Sequence, residues 1–241
     1  MTGQIRAVSG LPRRRERGRW THGVAALLGL ISLLAGCASS PPDGRESPTS
    51  TAVGVRTALA HLTVAARPGP DPAYRRADFG SAWADTDHDG CSQRRDALAA
   101  AVDRTKPFTE RRRGRCIHDV VAGTWTDPYT GLPLTFTDLS DSQQAQQIPI
   151  DHVVALAVAY RYGANRWTAE QRLAFATDLS NLQPTARATN SKKSDRDAAS
   201  WRPGRRYQCD YATRYVSIKA KYALRVDEME KRALSEMLNA C

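Results

Sequence analysis

The chain has 241 residues, of which 41% are hydrophobic and 25% charged, and a formal net charge of +10. Once the first residues are set aside, about 170 residues remain to fold, enough for one domain. There is no internal repeat, and no later segment is apolar enough to cross a bilayer.

The chain begins as an export signal. Arg13, Arg14, Arg15, Arg17 and Arg19 form a positive start, and Val24 to Leu34 is an apolar run too short for a permanent membrane span. Leu34-Ala35-Gly36-Cys37 is similar to the bacterial lipoprotein box, in which cleavage before the Cys accompanies its acylation. Cys37 is therefore expected to carry a lipid, which anchors the chain to the outer face of the membrane. An ordinary secretory peptide is the rival reading. Residues 1–36 hold six Arg and one Glu, so their removal leaves a charge of +5. That excess is compatible with a polyanionic partner without demanding one.

Residues 37–73 read mostly as a flexible tether, since Ala38 to Ser50 is rich in Ser, Pro, Thr and Gly. Val53 to Ala66 has helical character. From residue 74 the chain reads as the functional domain. Asp85-Thr86-Asp87-His88-Asp89-Gly90 followed by Asp96 has the spacing of a calcium loop, with oxygens at positions 1, 3 and 5, Gly at 6 and an acid at 12. The competing reading is a polar loop held by Cys91. Position 12 is Asp rather than the longer Glu, and no clear helix precedes the loop.

Arg94 to Arg104 reads as a short helix on the spacing of Leu98 and Val102. Arg94 itself is a candidate phosphate-binding residue. Arg111-Arg112-Arg113-Gly114-Arg115 is the densest basic patch, either a solvated tip or a phosphate contact. Ile117 to Thr126 and Leu132 to Thr137 read as two strands joined by the turn Asp127-Pro128-Tyr129-Thr130-Gly131. Gln147 to Val154 reads as a buried strand, and Ala155 to Tyr162 as its helical continuation. Thr168 is placed to cap a helix that runs to about Thr177, with Gln171 three residues on. Asp178 to Pro184 is expected to be extended and Thr185 to Lys193 helical. Two helices follow between Tyr207 and Cys241. The sum is an α+β fold with few strands.

Cys91, Cys116, Cys209 and Cys241 are an even set in an exported chain, which predicts disulfides. The pairing 91–116 and 209–241 is favoured because each pair brackets one local unit. Zinc is the rival, but no Cys-x-x-Cys occurs.

The chemistry concentrates in three places: Asp151-His152, Asn181, and Asn190-Ser191-Lys192-Lys193-Ser194-Asp195. Phosphodiester hydrolysis needs a positioned water, a base and positive charge on the phosphate. His152 is the candidate base, because imidazole titrates near neutral pH. Asp151 and Asn190 are hard oxygen ligands suited to Mg²⁺ or Mn²⁺. Asn181 is placed to hold the loop or to orient the His152 ring. Lys192 or Lys193 could reach phosphate oxygens or the leaving group.

This arrangement resembles the HNH, or ββα-metal, endonucleases. The match is Asp151-His152-Val153-Val154, then Asn181-Leu182-Gln183, then Asn190 nine residues later with Lys193-Ser194-Asp195. Over roughly residues 74–241 the chain also resembles secreted bacterial HNH proteins related to the nuclease part of GmrSD-type restriction enzymes. It shares with them Asp87 to Cys91, Gly123 to Gly131 and Cys209-Asp210-Tyr211. The resemblance implies a small β-hairpin and ββα-metal core surrounded by helices and stapled by disulfides. It implies metal binding by Asp151 and Asn190, general base catalysis by His152, support from Asn181, and DNA, with RNA as an alternative, as the substrate. Asn190 stands where the family often has His, which makes the site oxygen-rich and leaves Asp195 open as a contributor. The rival functions are a cell-surface lipoprotein that binds DNA without cutting it and one that binds calcium.

Overall fold

The computed structural model describes residues 48–241. The export signal, Cys37 and the first part of the expected tether lie outside the described residues. The fold is α+β, with helices around two small antiparallel sheets. Among the described residues, no helix is long and apolar enough to cross a membrane.

Residues expected to be mostly tether instead begin the folded unit. Helix α1, Pro48–His61, buries Val55 and Leu59 one turn apart, with Leu62 just beyond its end. This face packs on α7, Gln208–Lys221, and α8, Glu228–Leu238. Arg56 fastens it by donating to Leu238 O at 2.6 Å and to Asn239 Oδ1 at 3.1 Å. Helical character was expected only from Val53, because the Ser-, Pro- and Thr-rich composition runs into the start of α1 and its first buried apolar residue is Val55.

Helix α2, Gln93–Ala101, lies on a three-stranded sheet with order β1-β2-β3. The strands are β1, Thr109–Arg113, β2, Cys116–Thr126, and β3, Pro133–Phe136. The Trp125 indole N–H donates to Leu98 O at 2.8 Å and so joins sheet to helix. The basic patch expected at a tip or on phosphate forms strand β1 and the turn after it. Arg111 and Arg113 converge there with Arg95 on the buried Asp119 carboxylate.

The turn between β2 and β3 closes through Gly131 N donating to Asp127 O at 2.8 Å. Gly131 has φ +73, and a Cβ there would meet the Tyr207 hydroxyl at 1.8 Å, so only glycine fits. A short helix absent from the sequence expectations, α3, Ser142–Gln147, follows β3. Asp141 caps it by accepting from Gln143 N at 2.8 Å.

Strand β4, Ile150–His152, pairs with β5, Leu182–Pro184, with Asp151 opposite Gln183. Helices α4, Leu156–Arg161, and α5, Ala169–Thr177, fill the connection between them. The capping box of Thr168 and Gln171 opens α5 as the sequence predicts. Helix α6, Arg187–Lys193, leaves β5 directly, so β4, β5 and α6 form a ββα unit.

The core has two apolar clusters. One joins α1, α4, α5, α7 and α8 around Tyr215, Val158 and Phe175; the other joins α2 to the sheet around Trp125 and Leu98. Ile150 belongs to the second cluster, while Val153 and Val154 belong to the first. Asp151 and His152 thus stand at the seam, held on both sides by packed apolar neighbours. Disulfides join Cys91 to Cys116 and Cys209 to Cys241, the pairing favoured from the sequence. The first staples the loop before α2 to β2. The second closes the end of α8 on the start of α7, and it leaves these cysteines unavailable to zinc.

Candidate active site

Strand β4 delivers Asp151 and His152, and α6 delivers Asn190 and Lys193. Asp151, His152, Asn190 and Asp195 all line one cavity of about 430 Å³. A second cavity, of about 380 Å³, is also lined by His152.

Asp151 is buried at 6% exposure, yet its carboxylate is well supplied with donors. Lys193 Nζ lies 3.1 Å from Oδ1 and 3.0 Å from Oδ2, and the Tyr129 hydroxyl donates to Oδ2 at 2.5 Å. Burial raises the Asp151 carboxyl above the usual range, against the pull of the Lys193 charge and these hydrogen bonds. A carboxylate offers about four acceptor positions. Three are taken, so Oδ1 keeps one for a further ligand at the cavity.

His152 contacts Ala176 O through Nε2 at 2.8 Å. A carbonyl only accepts, so Nε2 carries the proton and Nδ1 carries the lone pair. Burial lowers the imidazole pKa to about 4, with the nearby Arg76 and Lys193 charges acting in the same direction. The ring is therefore neutral at pH 7, with Nδ1 able to accept a proton.

Asn181 is fully buried and does not touch the His152 ring. Its Oδ1 accepts from Val154 N at 2.9 Å and its Nδ2 donates to Val154 O at 3.2 Å. It locks the chain just after β4, while its own carbonyl accepts from Val153 N at 2.8 Å. Asn190 is half-buried and lines the cavity. Asp195 is exposed, with Arg161 3.8 Å away.

Two expected roles are corrected. Lys193 does not face a phosphate: it is 0% exposed, and its ammonium donates to Asp151 and, at 2.8 Å, to His152 O. A buried ammonium with no solvent-facing proton is a positioning group. Arg94 is also turned away from the site. It donates to Ala145 O and Ile148 O, both at 2.9 Å, and so satisfies the open carbonyls at the end of α3. Lys192 remains exposed on α6.

Three residues of the site escaped the sequence reading. Tyr129 looked like part of a turn, yet it is buried and holds Asp151. Asp127, in the same turn, accepts from Thr185 Oγ1 at 2.7 Å and Thr189 Oγ1 at 2.9 Å, which ties the hairpin to the start of α6. The Asp-Pro-Tyr-Thr-Gly segment therefore positions both halves of the site, and its density of polar side chains beyond what a turn needs was the available signal. Arg76 is exposed on a 3-10 turn and lines both cavities that His152 lines. Nothing in its local sequence marks it.

A family model described as "GmrSD restriction endonucleases, C-terminal domain" matches residues 93–237. That span contains Asp151, His152, Asn181, Asn190 and both tying residues of the hairpin turn; it begins after Asp85, Asp87 and Asp89. An "Uncharacterized secreted protein" of Arthroderma benhamiae is 36% identical over 225 residues, covering 90% of this chain and 97% of that protein. No solved structure matches. With more than half its length matched, the chain belongs to the family of GmrSD restriction endonuclease C-terminal domains.

Proposed function

We propose that this protein is an exported HNH-type endonuclease that hydrolyses phosphodiester bonds in DNA, with RNA as an alternative substrate. The observation that carries the reading is the setting of His152. Its Nε2 is tied to Ala176 O, which leaves the lone pair on Nδ1, and Asp151 and Asn190 share its cavity.

In this reading water gives a proton to His152 Nδ1 as its oxygen forms a bond to phosphorus and the bond to the leaving oxygen breaks. The donor set of Asp151 and Asn190 is hard and oxygen-only, and Asp151 retains an acceptor position, so the residues fit Mg²⁺ or Mn²⁺. Such an ion would supply positive charge to the scissile phosphate and the leaving oxygen. Arg76, exposed and lining both cavities that His152 lines, would bind a phosphate oxygen, and Lys192 would contact the flanking backbone. Lys193, Tyr129 and Asn181 would hold the ligand and the base in register. The family supports nuclease chemistry, and two disulfides together with the secreted relative support an extracytoplasmic location. Cys37 would carry the lipid anchor.

The test is nicking of supercoiled plasmid in Mg²⁺, Mn²⁺, Ca²⁺ or EDTA, with His152→Ala alongside. The expected result is cleavage that needs a metal and falls by about 10²–10⁴ in the variant. Equal cleavage by His152→Ala would overturn the assignment of the base. If plasmid, single-stranded DNA and RNA all stayed intact, the nuclease reading would give way to a binding protein.

A further inference from the structure

The loop ahead of α2 and the first turn of that helix hold unsatisfied oxygen. Among the described residues, five buried side-chain atoms have no hydrogen-bond partner, and three of them lie between positions 85 and 96: Asp85 Oδ1, Gln93 Oε1 and Asp96 Oδ2. All three can only accept. An acceptor buried without a partner costs free energy unless a water or a cation satisfies it.

The local geometry brings the carboxylates into two groups that share Asp89. One carboxylate oxygen from each of Asp85, Asp87 and Asp89 lies within 4.8 Å of the others. Asp89 also groups within that distance with Asp96 and His118. Cys91 falls in this second group, but its sulfur is bonded to Cys116 and is no ligand. Local hydrogen bonds engage Asp87 Oδ1 and Asp89 Oδ1 but leave one oxygen each of Asp85 and Asp96 without a partner. Asp85 accepts from Gly90 N through Oδ2 alone, at 3.0 Å, which leaves Oδ1 without a partner. His118 Nε2 holds Asp96 through Oδ1 alone, at 2.8 Å, which leaves Oδ2 without one. Asp96 is 7% exposed, so this free oxygen cannot turn to bulk water. Gly90 has φ +93, and a Cβ there would strike Arg115 Cβ at 2.4 Å, so the sharp turn presses the loop onto the β1–β2 turn.

We propose that Asp85, Asp87, Asp89 and Asp96 bind a calcium ion, with Gln93 at the ninth position of the loop supplying its amide oxygen directly or through water. Many oxygens on an irregular loop suit the six to eight flexible ligands of Ca²⁺ better than the strict octahedron of Mg²⁺. The exiting helix α2 begins at Gln93, so the ion would fix the start of that helix. Trp83 and Gln93 also line the cavity beside His152, so the ion would brace one wall of the candidate active site. The site does not depend on the nuclease reading.

The test uses the purified full chain and calcium alone. Equilibrium dialysis with radioactive calcium, with thermal unfolding in parallel, should show one ion per chain and a Kd on the order of 10⁻⁴–10⁻³ M. Tm should rise by roughly 5–10 °C at a hundredfold excess over Kd. Asp87→Asn and Asp89→Asn, both exposed and isosteric, should weaken binding at least tenfold and remove the Tm shift. Their circular dichroism in EDTA should match that of the unchanged protein. Asn190→Ala should bind calcium normally, which separates this site from the nuclease metal. The proposal is overturned if the folded protein binds no calcium, if both Asp variants bind it unchanged, or if Asn190→Ala is the variant that loses it.

Discussion

The Lys193 ammonium lies 3.1 Å from Oδ1 and 3.0 Å from Oδ2 of Asp151, and it is fully buried. This contact makes the candidate metal ligand and the last turn of α6 a single electrostatic unit. Taking away one member of such a pair leaves a buried charge, which is worse than never having made the pair.

Lys193→Met should therefore lower stability by about 3–5 kcal/mol and remove cleavage with it. Denaturant unfolding distinguishes this from a direct role on phosphate, for which activity would fall while the midpoint stayed in place. Tyr129→Phe removes only one neutral donor from the same carboxylate. It should cost about 1 kcal/mol in stability and weaken the metal dependence of cleavage by about 10–100-fold.

Two arginines should separate cleanly. Arg76→Ala touches an exposed residue beside His152, so kcat should fall by about 10²–10³ with Tm nearly unchanged. Arg94→Ala exposes two carbonyls at the end of α3 and should cost about 1–3 kcal/mol while cleavage by the folded protein persists. Paired kinetic and melting measurements check both, and the opposite pattern would exchange their roles.

Asn181→Ala orphans the Val154 N–H and C=O in a fully buried position, at about 1–3 kcal/mol for each group. Asn181→Asp should be no better, because the oxygen that replaces Nδ2 would face Val154 O. Recovery of full stability in the Asp variant would show that the amide is not the lock after Val154.

Acid stability should follow Asp178 and Asp227. Burial pushes the Asp178 carboxyl up, but Lys221, Ser180 and Tyr222 outweigh it and hold the pKa below the ordinary value. Burial likewise works against Asp227 and is outweighed by Tyr162, the Glu230 backbone N–H and Arg67. A depressed folded pKa contributes stability that is fully present above the unfolded value of about 3.9 and is lost as pH falls through the folded value. Urea midpoints measured between pH 6 and 2.5 should fall mainly below pH 4. Asp178→Asn should be less stable at pH 6 and should lose less on acidification.

Much of the local structure was legible because it rests on neighbours in sequence. The capping box at Thr168, the turn from Asp127 to Gly131 and the helical spacing of Tyr211 and Tyr215 are satisfied within a few residues of themselves. Helix α1 was harder to read, because its short apolar stripe becomes decisive only once α7 and α8 are there to cover it. The short α3 was missed because it buries none of its side chains and so leaves no apolar period to read.

The sequence alone determined which residue types were present for the chemistry: the Asp151-His152 pair, the two asparagines nine residues apart, and the three acids ahead of α2 with Asp96 in its first turn. Hydrophobic period, capping chemistry and ligand spacing are local properties, and they survive without knowledge of the fold. Only the tertiary structure decided what each charged side chain does. Lys193 and Arg94 read as cations available to phosphate, yet burial turned the first onto Asp151 and a helix end claimed the second. Tyr129, Asp127 and Arg76 entered the site from segments 22 or more residues away from Asp151. Desolvation and hydrogen-bond partners depend on which distant segments arrive, and sequence spacing carries no record of that.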